Sequence, residues 1–483
     1  MLGALCRGSA VRDDMDTGRD AGRDVDGRHG SHSGPSEGGG RGGRATIDRS
    51  GLTRTTPWLS ARNPRLRRSS YGAAVSQAPV TGVTADRVPF DPTDPDFVAD
   101  PYPVFARLRA EAEVHRHDGM GLAVAVSHAA CSALLRHRSL GRIWTDARPV
   151  DQFASFNLLH RNSLLENEPP THTRLRRLVA AAFGRGHVER MRPWVERLAD
   201  DLVAGLAGRI ADEGSADLLE QVAAPLPVQV IAELLGVPDA DRGLLQPWSN
   251  AIVKMYEYDL DEPRRAAAER AATEFVAYLR ELVALRRRQP GEDLVSDLVA
   301  VTDADGGKLT EDELVATAVL LLMAGHEATV NVVGNGTLAL MRHRDQWERL
   351  VADPGLLATA TEELIRYDSP LQLFERTATA DVEIAGFPVR EGEKIAALLG
   401  AAARDPEVFE EPDRLDIGRT TNPHLGFGVG IHYCLGAPLA RVEVQAALGA
   451  LARRLPRLAL AAEPVRRSEF VIRGLHDLPV TSG

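Results

Sequence analysis

Cys434 closes the run Gly426-Phe427-Gly428-Val429-Gly430-Ile431-His432-Tyr433-Cys434-Leu435-Gly436. Glycines at alternate positions make a poor strand and a poor helix, because glycine loses the most backbone freedom on ordering. They suit a tight loop whose backbone lies close against a flat partner. A helix-like pattern follows at once, so the thiol is predicted to meet unpaired N–H groups and the positive end of a helix dipole, which lowers its pKa. A structural metal would want four ligands. A single thiolate in a glycine cradle is instead suited to be the axial ligand of a haem iron. Most isolated cysteines are small buried apolar residues, but Gly426, Phe427, Gly428, Gly430, His432 and Gly436 at fixed offsets argue against that here.

Two further groups of residues carry chemistry. Ala324-Gly325-His326-Glu327-Ala328-Thr329 puts an acid inside the apolar flanks Leu320, Leu321, Leu322, Met323 and Val330. On an average helix such an acid sits on the wet face. Here little wet face remains, which predicts a buried, functional Glu327. Glu363 and Arg366 stand at i, i+3 on one helical face and can pair. His172 and Arg176, at i, i+4, also share a face.

These strings, in this order, resemble the cytochrome P450 family, and the resemblance covers about residues 88–483. The cysteine run is similar to that family's haem-binding loop, Phe-Gly-x-Gly-x-His/Arg-x-Cys-x-Gly. The acid-bearing string is similar to its distal helix motif, except that Ala328 stands where a threonine usually follows the acid, with Thr329 next. The resemblance implies haem b held by Cys434, with Ala324, Phe427, Gly428, His432 and Gly436 against the cofactor. It also implies a distal catalytic role for Glu327 and Thr329, and a buried structural lock at Glu363 and Arg366. The segment Pro169-Pro170-Thr171-His172-Thr173-Arg174-Leu175-Arg176 resembles the family's propionate-binding stretch. Arg376 and His424 match further propionate partners. Ala403 replaces the usual asparagine of Asn-Arg-Asp-Pro.

The elements that must position these groups are mostly helical. Thr310 with Glu313 reads as a capping box for a helix over 311–341 that carries Glu327. Other helices are predicted near 127–137, 171–184, 187–210, 227–235, 262–289, 345–353, 357–367 and 435–454, with one more from about residue 103. Short strands are predicted at 122–126, 382–384, 387–389, 394–399 and 470–473, with Gly386 and Gly392 at turns. The fold class is thus mainly α with a small β-sheet region, in one large haem domain over 87–483. Residues 1–86 differ. The first fifty hold twelve glycines and eight arginines interleaved with aspartates, a composition that predicts a disordered, dispensable extension.

The net charge of −11 over 483 residues argues against nonspecific nucleic-acid binding. Three scattered cysteines fit a reducing cytoplasm. No run of eighteen apolar residues signals a membrane anchor. The resemblance implies a monooxygenase acting on a medium-sized, largely apolar small-molecule substrate. Its walls are expected from residues 145–165, helices near 225–258, Leu371 to Phe374 and the turn near Arg473. Electrons are expected from a ferredoxin with its NAD(P)H-dependent reductase, with Arg177 and Arg441 as docking cations. A peroxide-driven member of the fold typically lacks the distal acid, and a haem sensor or carrier has no use for one, so Glu327 argues against both.

Overall fold

The computed structural model describes residues 89–183, 186–257, 260–301 and 306–483. The extension expected over 1–86 lies outside them. The centre is the 32-residue helix Glu311–Arg342. Its start is the capping box that the sequence implied: the Thr310 hydroxyl accepts from the Glu313 N–H, and the Glu313 carboxylate accepts from the Thr310 N–H at 2.9 Å. By length and apolarity this helix could cross a membrane. It is instead wrapped by protein, packing on Ala154–Arg161, Pro225–Leu235, Leu245–Val253, Glu262–Arg288, Leu357–Tyr367 and Ala437–Arg454. Leu357–Tyr367 carries the Glu363 and Arg366 pair, and Ala437–Arg454 begins just after Cys434.

A five-stranded sheet flanks the helices, in the order Val114–His117, Leu122–Ala125, Lys394–Leu398, Leu373–Ala378, Leu140–Gly141. Only the pairing of Leu122–Ala125 with Lys394–Leu398 is parallel. Side chains alternate across a strand, so this sheet feeds two cores. Ala123, Ala125, Ile395 and Ala397 face one core, while Leu122, Val124, Ala396 and Leu398 face the other. Arg376 lies on the neighbouring strand, in register with Ile395.

Predicted helix boundaries fall within about three residues of those observed. The strands at 382–384 and 387–389 form as expected, turning through Gly386 at φ 77°. The strand expected at 470–473 does not form. Ile472 makes one isolated bridge to Leu371, and the N–H groups of Phe470, Val471 and Ile472 all donate to the Glu257 carboxylate (3.1, 2.9 and 2.9 Å). A side chain satisfies what a neighbouring strand would have satisfied. Helix Leu245–Val253 falls within the helical stretch expected near 225–258, whereas strand Leu373–Ala378 and helices Ala154–Arg161 and Leu294–Ala300 had no clear sequence signal.

Candidate haem-thiolate site

The cysteine loop is folded by its own backbone. The Gly428 N–H donates to Leu425 O (2.8 Å), and the Cys434 N–H donates to Phe427 O (2.9 Å). Gly428 and Gly430 sit at φ 67° and 77°, which L side chains rarely adopt. A Cβ on Gly430 would lie 2.9 Å from Leu135 O, so the loop can lean on the end of helix His128–Arg136 only as glycine. Cys434 is exposed as a residue, although protein packs closely around its sulfur. The N–H groups of Gly436 and Ala437 are aimed at its sulfur, the helix-start geometry that the spacing implied. The net effect on the thiol is nonetheless opposite to the expectation. Burial pushes its pKa up, outweighing those N–H groups and the charges of Arg176 and Arg441. Phe427 lies beneath the Arg441 guanidinium at 4.4 Å.

Beside the loop is a crowded set of cationic groups. The His172 and His432 rings stand 4.4 Å apart, and the Arg176 Nη2 donates to Tyr433 O at 2.7 Å. His432 Nε2 meets Glu168 Oε1 at 2.8 Å. Its Nδ1 and His172 Nε2 are buried and have no partner. Burial, with His432 and Arg176 nearby, pushes His172 down to about 4. Burial and the charge of Arg142 push the buried Arg376 down to about 10. Orphaned buried nitrogens beside the Arg176 and Arg376 guanidinium groups make a place for anions. The residues therefore fit a haem whose propionates they would hold. Glu168 and Arg142, the latter paired to Glu166, complete this cluster and were missed in the sequence.

His424 does not belong to that set. Its Nε2 faces Glu362 Oε2 at 3.1 Å, and its Nδ1 accepts the Gly426 N–H at 3.1 Å. Both nitrogens are engaged, and His424 ties the loop to helix Leu357–Tyr367. On the same helix, Glu363 and Arg366 are fully buried and joined by two 2.8 Å bonds. Arg366 also donates to the carbonyls of Ala403, Pro412 and Arg414 (2.8, 2.7 and 3.2 Å). Position 403 serves through its carbonyl, so alanine suffices there.

Across the molecule, the central helix leaves one stripe open. Ala324 is exposed, and Leu320, Leu321, Glu327 and Ala328 are half-buried, in a helix otherwise largely enclosed. Thr329 is off that stripe. It is buried, and its hydroxyl donates back to Gly325 O at 3.2 Å, because one residue turns a helix by about 100°. A catalytic role for Thr329 would require its hydroxyl to leave Gly325 O. Glu327 stays on the stripe but is not alone: Arg467 Nη1 and Nη2 both donate to its Oε1 at 2.9 Å. No sequence signal pointed to that arginine.

At the turn expected as a wall, the Arg473 side chain is taken up by a buried pair with Asp368 (2.7 Å) and by the carbonyls of Val98 and Ala99. A cleft of about 550 Å³ within the wall expected at 145–165 is lined by Trp144, Asp146, Arg161 and Glu166, so it is more polar than expected.

The family model described as cytochrome P450 matches residues 145–354 and 355–458. Cytochrome P450 monooxygenase PikC of Streptomyces venezuelae is 43% identical over 392 residues, covering 80% of this chain and 92% of that protein. Vitamin D(3) 25-hydroxylase of Pseudonocardia autotrophica is 40% identical over 394 residues, covering 80% and 95%. The crystal structure of P450BioI with an acyl carrier protein bearing hexadec-9Z-enoic acid superposes with a TM-score of 0.76 at 33% identity, covering 80% of this chain and 99% of that one. With its thiol loop, distal helix and buried lock in place, this chain belongs to the cytochrome P450 family, as a bacterial haem b monooxygenase of the haem-thiolate type.

Proposed function

We propose that this P450 oxidises, by hydroxylation or epoxidation, a medium-sized and largely apolar organic molecule of secondary metabolism. One observation carries the site assignment: an exposed Cys434 in its glycine cradle stands beside buried, unpartnered nitrogens of His172 and His432. When bound, the haem supplies activation of O2 by two electrons and insertion of one oxygen atom into the substrate. Cys434 is the proposed iron ligand, with Phe427 and Leu435 screening the sulfur from water. His172, Arg176, Arg376 and His432 hold the propionates, and Ala324 lies against the distal face. Glu327 is the proposed proton source on the open stripe of the central helix.

The substrate class rests on relatives whose names include a vitamin D(3) hydroxylase and on the apolar stripe residues Leu320, Leu321 and Ala328. Electrons come from a separate ferredoxin and its NAD(P)H-dependent reductase in the cytoplasm. The docking face is proposed around the exposed Ile431 and Tyr433, next to Cys434. Arg441 is not a docking cation in this proposal, because its guanidinium is bonded to both oxygens of Glu362. The test is to purify the haem protein, screen apolar small molecules for a low-to-high-spin shift, and feed each hit with NAD(P)H and a surrogate ferredoxin system. Oxygenated product from a spin-shifting compound is the expected result. Spin shifts without NAD(P)H-dependent product under any ferredoxin tried count against the electron-supply reading.

A further inference from the structure

The segment 465–474 crosses the distal side as a strap. Arg466 reaches Asp368 (2.6 Å) and Asn335 (2.9 Å), and Arg473 reaches Asp368 from the other end. Glu257 grips the N–H groups of residues 470–472 between them. The Arg467 side chain therefore leaves a backbone that is fixed on both sides. Its guanidinium forks onto Glu327 Oε1, and Nη2 also donates to Asn331 Oδ1 at 3.0 Å, one turn further along the central helix. The slot is shaped for it. A Cβ on Gly474 would come within 2.6 and 2.9 Å of the guanidinium nitrogens, and closer still to Asn331 Oδ1.

The other oxygen of Glu327, Oε2, faces His326 Nε2 at 3.5 Å. That buried imidazole is held by Asn250 (3.2 Å) and Ser249 (3.3 Å), and burial pushes its pKa down. Among the described residues, the charged or titratable groups facing this carboxylate are Arg467 from the strap and His326 from its own helix. Helix Leu245–Val253 offers the uncharged Ser249 and Asn250 to His326, and helix Pro225–Leu235 offers Ile231 to Gly325.

We propose that Arg467 is a positioning residue for the monooxygenase reaction: it clamps the Glu327 carboxylate in one orientation on the distal side. The inference rests on the reading of Glu327 as the distal acid. Two charge-assisted bonds from one guanidinium to a single carboxylate oxygen restrict rotation of the carboxylate. Removing the guanidinium frees the side chain to rotate.

The experiment uses the haem-loaded full chain with a spin-shifting substrate. It compares wild type with Arg467→Gln, Arg467→Lys, Glu327→Gln and the double variant Arg467→Gln/Glu327→Gln. Arg467→Gln is expected to bind substrate within twofold of wild type. Its coupling of NAD(P)H to product should fall several-fold. Arg467→Lys should recover only part of that coupling, because an ammonium cannot fork. The double variant should be no worse than Glu327→Gln alone. Unchanged coupling in Arg467→Gln overturns the proposal, as does an Arg467 effect that persists undiminished in the Glu327→Gln background. If Arg467→Gln does not load haem, Arg467→Lys with an unaltered coupling ratio overturns it equally. Failure of the underlying reading is separate: it appears as normal turnover in Glu327→Gln.

Discussion

Replacing Arg366 by methionine tests how much the buried lock contributes. The substitution removes two charged bonds to Glu363 and three bonds to the carbonyls of Ala403, Pro412 and Arg414. Stranding one member of a buried ion pair costs on the order of 3–5 kcal/mol. Glu363 keeps Arg419 (3.1 Å), Asn422 (3.2 Å) and the Asp416 N–H (2.9 Å), which holds its share to the lower part of that range. The three abandoned carbonyls add about 1–2 kcal/mol once relaxation is allowed for. The expected loss is therefore about 4–5 kcal/mol, a large part of the ~5–15 kcal/mol that holds most domains folded. Glu363→Gln should cost less, about 2 kcal/mol, because the amide oxygen still accepts and the guanidinium keeps its carbonyls. Urea unfolding of the haem-loaded protein at pH 7, followed by both far-UV dichroism and the haem band, reads the loss. The double variant Glu363→Met/Arg366→Met should lie within about 1 kcal/mol of Arg366→Met rather than at the sum of the singles. A loss below about 1 kcal/mol for Arg366→Met, or strict additivity in the double, would refute the reasoning.

Cys434→His should abolish the absorption at about 450 nm of the reduced, CO-bound protein, and an intact folded wild type lacking that band would remove the thiolate assignment. Glu327→Gln should slow turnover strongly, whereas Thr329→Ala should leave coupling of NAD(P)H to product nearly unchanged, since its hydroxyl is spent on Gly325 O; equal uncoupling in both would return Thr329 to the site. Burial opposes ionisation of Glu362, but Arg441 and His424 hold it down to about 2. Its folded pKa lies below the unfolded value, so its contribution is present above pH about 4.5 and lost as pH falls toward 2. Glu362→Gln should therefore be less stable than wild type by about 1.5 kcal/mol at pH 7 after discounting for partial exposure, and a gap that stays constant in unfolding curves below pH 4.5 would contradict this. We also propose that the extension is dispensable: a chain beginning at Thr84 should take up haem and bind substrate as the full chain does, and lost haem uptake would count against it.

What the sequence made legible was local. The capping box at Thr310, the Glu363 and Arg366 pair, and the glycine cradle are each written within a few consecutive residues. Their geometry comes from helix periodicity or from backbone angles that only glycine tolerates. The displacement of Thr329 was legible for the same reason. Partnerships across the chain were not. Arg467 sits in a polar run, Val465-Arg466-Arg467-Ser468-Glu469, that reads as solvated surface, and Glu327 is 140 positions away. His424 stands at a propionate position in the family's order, yet a glutamate on another helix claims its ring. The apolar run Phe470-Val471-Ile472 suggested a strand, and nothing nearby indicated that Glu257 would take the place of its neighbour. The rise in the Cys434 pKa was hidden because desolvation depends on everything packed around the sulfur, while the helix dipole depends only on the turn of helix that Gly436 and Ala437 begin.

The strap also bears on the order in which the molecule can assemble. Its partners lie far upstream: Asp368 by 105 positions from Arg473, Glu327 by 140 from Arg467, Glu257 by 214 from Val471, and the Val98 carbonyl by 375 from Arg473. Each contact closes a long loop, the kind that forms slowly. A ribosome reaches residues 465–474 only after every group they fasten has been made. Until then Asp368 lacks both of its arginines and Glu327 its guanidinium. A chain without residues 465–474 would thus have the distal side of its central helix unfastened, so these long-range contacts can close only once nearly the whole chain exists.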